Sequence, residues 1–77
     1  MSHYRHMSPK LFLHEAISLV LHTEGHALST TDIAALVNAR ALYRRGDARP
    51  VRASQISARV RQHASLFFVE NRLVSLR

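Results

Sequence analysis

The side chains best equipped for chemistry are arginines. Residues 39–77 hold Arg40, Arg44, Arg45, Arg49, Arg52, Arg59, Arg61, Arg72 and Arg77 against only Asp47 and Glu70, a local net charge of +7. Residues 1–38 hold Arg5 and Lys10 against Glu15, Glu24 and Asp32, a net of −1, so the +6 of the whole chain comes from its second half. Every cation in that half is arginine. Its planar guanidinium fork matches phosphate oxygens and guanine edges, whereas a surface made only for solubility mixes in lysine. A polyanion is therefore the leading partner class.

The stretch RPVRASQISARVRQH, residues 49–63, concentrates this chemistry. On a helical wheel, Ala53, Ile56, Val60, Ala64 and Phe67 fall on one side. Ser54, Gln55, Ala58, Arg61 and Gln62 fall on the other, with Arg59 nearer the boundary. The outward side has amides and arginine but no acid. Arg61 or Arg59 suits guanine, Gln55 or Gln62 suits adenine, and Ser54 at the helix start suits a phosphate. Arg44, Arg45, Arg49 and Arg52, just upstream, form a cluster for holding a phosphate backbone, which positions a protein without reading sequence.

Other chemistries have less to stand on. The chain has no cysteine, which excludes disulfides and thiolate metal sites. Of six histidines, His22 and His26 are four apart, but Gly25 interrupts the helix between them, and no third ligand has a suitable spacing; no metal is expected. His14 and His22 read as solvent-facing, and His63 as a half-buried neutral imidazole. No nucleophile, base and orienting group form a recognisable arrangement, the five acids are scattered singly, and two glycines leave no phosphate loop. Neither enzyme activity nor a cofactor is expected.

The elements that must position the arginines follow from pattern and punctuation. At 77 residues the chain can build one small core, and its 47% hydrophobic content suits a packed domain. Residues 1–7 carry no periodicity and read as a loose lead-in to a domain over 8–77. Ser8 and Pro9 resemble an N-cap and first helical residue, Leu13, Ala16, Ile17, Val20 and Leu21 recur at helical spacing, and Gly25 supplies a stop. This predicts a helix over about 9–23. Ser29 and Asp32 resemble a capping box ahead of Ile33, Ala34, Leu36 and Val37, predicting a second helix near 30–42. Ala27 and Leu28 should pack in the short connection between them.

Gly46, Asp47 and Pro50 break the chain into a basic loop, and a third helix is predicted over 53–65. The tail SLFFVENRLVSLR then changes period from 3.6 to 2. With Asn71-Arg72 as a two-residue turn, Val69 pairs with Val74 and Phe67 with Leu76, so all four share one face of a hairpin. Asn tolerates the left-handed conformation of such a turn, but Arg72 stands where glycine is favoured. Most of the two tyrosines and three phenylalanines are assigned to the core or lead-in, which leaves no evident aromatic platform for RNA. No run is long and apolar enough for a membrane span, and the start lacks a signal peptide, so the chain reads as intracellular.

Three helices followed by a hairpin is the order of a winged helix-turn-helix, a mainly α (α+β) fold. ALSTTDIAALVNARALYRRGDARPVRASQISARVRQH…LFFVENRLVSL resembles the HARE-type helix-turn-helix family, winged-helix modules of chromatin regulators, restriction systems and a bacterial RNA polymerase subunit. The resemblance covers about residues 12–76. It is carried by Ala16-Ile17 and Val20-Leu21, by Leu28-Ser29-Thr30 leading to Asp32-Ile33-Ala34, by Gly46, Pro50 and Ser54, and by an aromatic strand closing on Leu76. Two departures stand out: Arg49 occupies a position where threonine commonly precedes the proline, and the hairpin turn is short.

What the resemblance implies is a module of a larger protein that binds double-stranded DNA, with base modification as one feature it reads. Its third helix would enter the major groove, the arginine loop would lie on the backbone, and Arg72 at the hairpin tip would reach a minor groove or phosphate. An alternative from another class is a protein-interaction module, whose arginine face docks an acidic partner of the transcription or chromatin machinery while helix one or the hairpin adds apolar contacts.

Overall fold

A computed structural model of the chain describes residues 11–43 and 49–77. It contains three helices, α1 (Leu13–Glu24), α2 (Thr30–Ala39) and α3 (Ala53–Gln62), followed by an antiparallel hairpin of β1 (Phe67–Glu70) and β2 (Leu73–Leu76). Ser8, Pro9 and the expected lead-in over 1–7 lie outside the described residues.

Helix α1 begins four residues later than expected. Leu11 and Phe12 are not helical, and Phe12 serves as the N-cap in an extended conformation. The Glu15 carboxylate accepts the Phe12 N–H at 2.9 Å, covering one of the donors a helix start leaves unpaired. The other end is as predicted. Gly25 has φ +76° and donates its N–H to Leu21 O at 3.0 Å. No atom lies within 4 Å of where its Cβ would stand, so only the backbone conformation asks for glycine there.

The connection to α2 does pack. Leu28 is buried and exchanges two backbone hydrogen bonds with Val74 of β2, at 2.8 and 2.9 Å, so one residue between α1 and α2 extends the hairpin by a third, single-residue rung. Ser29 Oγ then accepts the Asp32 N–H at 3.1 Å and caps α2, the role its position suggested.

Helix α2 ends at Ala39 rather than near 42, because Ala41 takes φ +52°. Ala41 N–H reaches Asn38 O at 3.2 Å and Leu42 N–H reaches Val37 O at 3.0 Å, the paired bonds of a Schellman turn. Alanine in the left-handed position costs about 1 kcal/mol relative to glycine, so no residue type marks this turn in the sequence. Helix α3 likewise stops at Gln62, short of 65, with His63 as its C-cap.

The hairpin has the predicted register, Phe67 opposite Leu76 and Val69 opposite Val74. Asn71 and Arg72 both have positive φ, 53° and 65°, as a twisted two-residue turn requires, and Arg72 adopts this although glycine would do so without strain. The shared face is only half buried: Phe67 and Val74 enter the core, while Val69 and Leu76 project past it.

The core contains Leu13, Ala16, Ile17, Val20 and Leu21 of α1, Ile33, Ala34 and Val37 of α2, Ile56 and Val60 of α3, with Leu28, Val51, Phe67 and Val74 closing it. Ala64, expected on the apolar side of the third helix, is exposed beyond its end. Of the described phenylalanines only Phe67 is core; Phe12 and Phe68 are exposed. Replacing Ala41 by glycine should relieve the strained turn and raise unfolding free energy by about 0.5–1 kcal/mol. Urea denaturation measures this, and a destabilised variant would contradict the assignment of the turn.

Candidate nucleic-acid interface

The third helix is held against the core by two large apolar residues, Ile56 and Val60, while Ala53 is half-buried. Of the other residues of the helix, Ser54, Arg61 and Gln62 are exposed and Gln55, Ser57, Ala58 and Arg59 are half-buried. Its start is set by Arg52, whose carbonyl accepts from Gln55 N–H (3.0 Å) and Ile56 N–H (3.2 Å). Gln55 Oε1 returns the favour by accepting Arg52 N–H at 2.9 Å.

A second device fixes where the helix starts in space. The Asn38 side chain, on the last turn of α2, donates Nδ2–H to Val51 O and accepts Val51 N–H on Oδ1, both at 2.9 Å. An amide side chain thus pairs with both main-chain polar groups of one residue, as a neighbouring strand would. Val51 is buried, and without Asn38 its N–H and carbonyl would lose their partner. The basic loop therefore leaves the end of α2 and is caught again by the same helix before α3 begins.

The predicted contact residues divide accordingly. Ser54, Arg61 and Gln62 are exposed on the outward side of α3, with the half-buried Ala58 between them. Arg49 and Arg52 are exposed at the approach to the helix. Arg61 Nη1 donates to Ser57 Oγ at 3.0 Å, which steadies the side chain along its own helix and uses one of its five donors. Arg59 is half-buried on the flank towards His63. Arg72 is exposed at the hairpin tip, on a separate element. Gln55 differs from expectation: it is half-buried, and its carbonyl oxygen serves the helix start. Arg44 and Arg45 lie outside the described residues.

The remaining arginines have structural work. Arg40 forms an ion pair with Glu24, joining the ends of α2 and α1 and occupying an acid that would otherwise stand alone there. Arg77 donates Nε–H to Ala64 O at 2.8 Å, with its guanidinium 5.6 Å from the centroid of the Phe68 ring. No acid occurs between Arg49 and Val69. The outward side of α3 is thus uniformly neutral or positive.

Two histidines join α1 to the end of α3. The His14 and His63 rings stack with centroids 3.9 Å apart, and Phe12 continues the stack on His14 at 5.8 Å. Desolvation lowers the His63 pKa below its ordinary value, and the positive potential of His14 and of Arg59 lowers it further. His63 is half-buried, as its wheel position suggested; His14 is half-buried rather than solvent-facing, and His22 is exposed. Among the described residues no group of three His, Cys, Asp or Glu side chains could hold a metal ion. No helix there is long and apolar enough to cross a membrane.

Sequence reading missed Asn38, Arg40 and the His14–His63 stack. Only Asn38 left a trace, as a polar residue at the end of an apolar helix run. Comparisons with protein families, with curated proteins and with solved structures find no match for this chain.

Removing the Asn38 amide should be costly for a largely exposed residue. Asn38→Ala is expected to lower unfolding free energy by about 1–3 kcal/mol, because two hydrogen bonds go and a buried peptide loses its partners. Asn38→Asp should not rescue it, since a carboxylate has no hydrogen for Val51 O. Urea unfolding of both variants tests this; a loss under about 0.5 kcal/mol would mean that water replaces the amide.

Proposed function

We propose that this chain is a winged helix-turn-helix module of the HARE type that binds double-stranded DNA, with α3 in the major groove. The observation that carries this reading is the acid-free outward side of α3, bearing Ser54, Ala58, Arg61 and Gln62, with exposed Arg49 and Arg52 at its approach. Ala58 at the centre of that side keeps the helix surface low, so a groove wall can come close. Arg61 and Gln62 reach base edges; Arg49, Arg52 and the loop residues Arg44 and Arg45 neutralise phosphates. Arg59 stands on the flank, and Arg72 meets the backbone or minor groove from the hairpin tip. Gln55 acts by holding the helix start rather than by reading adenine.

The Leu28–Val74 rung supports the winged-helix assignment. It makes the chain order helix, single strand residue, helix, helix, two strands, in which the residue between the first helices joins the sheet of the wing. In this reading the module brings further domains of a restriction-, transcription- or chromatin-associated protein to DNA, and its duplex can carry modified bases.

Fluorescence anisotropy with a labelled duplex tests the proposal. Neutralising about six phosphates makes affinity fall roughly 10³-fold between about 50 and 200 mM salt. Arg52→Ala should reduce the salt slope by about one, whereas Arg61→Ala should weaken the preferred duplex by about 1–3 kcal/mol and relax its sequence preference. Undetectable duplex binding at about 50 mM salt would refute the DNA reading, and binding to an acidic protein under the same conditions would favour the protein-interaction alternative.

A further inference from the structure

The start of α1 and the end of α3 meet through imidazole rings as well as through the apolar core. His14, in the first turn of α1, stacks on His63, the C-cap of α3, with centroids 3.9 Å apart and planes within 20°. Phe12 continues the stack from His14, its plane within 7° of the imidazole. Both histidines are half-buried. The residues that α1 and α3 give to the core, among them Leu13, Ile17, Ile56 and Val60, are apolar. A change of protonation near neutral pH at this joint therefore acts on the stack and leaves the core packing alone.

We propose that the His14–His63 stack is a proton-operated clasp between α1 and α3, closed while at least one of its two rings is neutral and opened when both are charged. Two neutral imidazoles in stacked contact bury their faces against each other. One imidazolium on one neutral ring keeps that contact, because a cation lies well over a π face. Two imidazolium rings at 3.9 Å set like charges in van der Waals contact, and only separation relieves the repulsion. His63 closes the last turn of α3, its N–H donating to Arg59 O and Val60 O, so the clasp acts at the end of the third helix.

The surrounding charges oppose a second proton. His14 faces His63 from α1, and Arg59 faces it from its own helix. From the hairpin, Arg77 donates to the carbonyl of Ala64, the residue next to His63. Among the described residues neither histidine pairs with an acid: the Glu15 carboxylate is on the Phe12 N–H, and Glu24 is on Arg40. Desolvation and these positive charges lower the His63 pKa. The unfolded chain takes up this proton near the ordinary value of 6.5, the folded chain only at lower pH. The stabilisation from the closed clasp is therefore present above 6.5 and is lost as pH falls through the folded value.

Nuclear Overhauser contacts between the two rings test this, with the histidine signals followed from about pH 8 to about pH 5, a window above the ordinary carboxylate range. Wild type should show the contact at the upper end and lose it at the lower end, while the methyl signals of Ile17, Ile56 and Val60 stay in place. His14→Phe leaves one titrating ring on a π face that attracts a cation. Its contact between positions 14 and 63 should persist throughout, and its His63 midpoint should lie above that of wild type. His63→Phe leaves only His14 to titrate and should also stay closed. A wild-type contact that is absent at about pH 8, survives at about pH 5 or disappears only together with the core methyl signals would overturn the clasp. So would a folded His14→Phe or His63→Phe that opens as wild type does, or a His63 midpoint that His14→Phe does not raise. No DNA is in the sample, so failure here is separate from failure of the DNA reading.

Discussion

The pair of hydrogen bonds between the Asn38 side chain and the Val51 N–H and carbonyl is the constraint on which the placement of the third helix depends. A chain leaving α2 through a left-handed Ala41 could return in many directions. It returns in one because the buried Val51 brings a donor and an acceptor that need partners, and Asn38 offers both at matching distance. Pro50, with no N–H of its own, asks for no acceptor just before that point. Helix α3 then starts within two residues of an anchored peptide, so its orientation is inherited from α2 rather than from the loop.

With the start of α3 fixed this way, few apolar residues are needed along it. Ile56 and Val60 reach the core; Ser54, Ala58, Arg61 and Gln62 are left to face outward. Electrostatic sorting reinforces the division. Glu24 is occupied by Arg40 at the junction of α1 and α2, and Glu15 by the Phe12 N–H at the start of α1. Two of the three acids of the first half thus do structural work, and no acid stands on α3 among its arginines. In the stack that joins α1 to the end of α3, desolvation and the positive potential of His14 and Arg59 lower the His63 pKa and so disfavour a further cation there.

Local chemistry was legible in the sequence and tertiary choice was not. Gly25 as a stop, Ser29 as a cap and the hairpin register each depend on residues within a few positions of one another. Phe12 at the helix start shows where this fails: Ser8-Pro9 is a permissive signal, and the Glu15 carboxylate caps a different residue. Ala41 gave no sign because alanine is not a left-handed residue by preference. Asn38 lies thirteen positions from Val51, so no window of helical or strand periodicity contains both. On the candidate interface, the arginine and amide pattern located the outward side of α3, yet only contact geometry separated Gln55, which holds the helix start, from Gln62, which faces out.

The proposed DNA contact rests on one surface of one helix. Nuclear magnetic resonance titration of the labelled chain with duplex DNA measures that surface directly, residue by residue. The largest shift changes are expected at Ser54, Ala58, Arg61 and Gln62, with Arg49 and Arg52 responding to any duplex. Changes centred instead on α1 or on the hairpin, with the α3 face silent, would contradict the proposed contact.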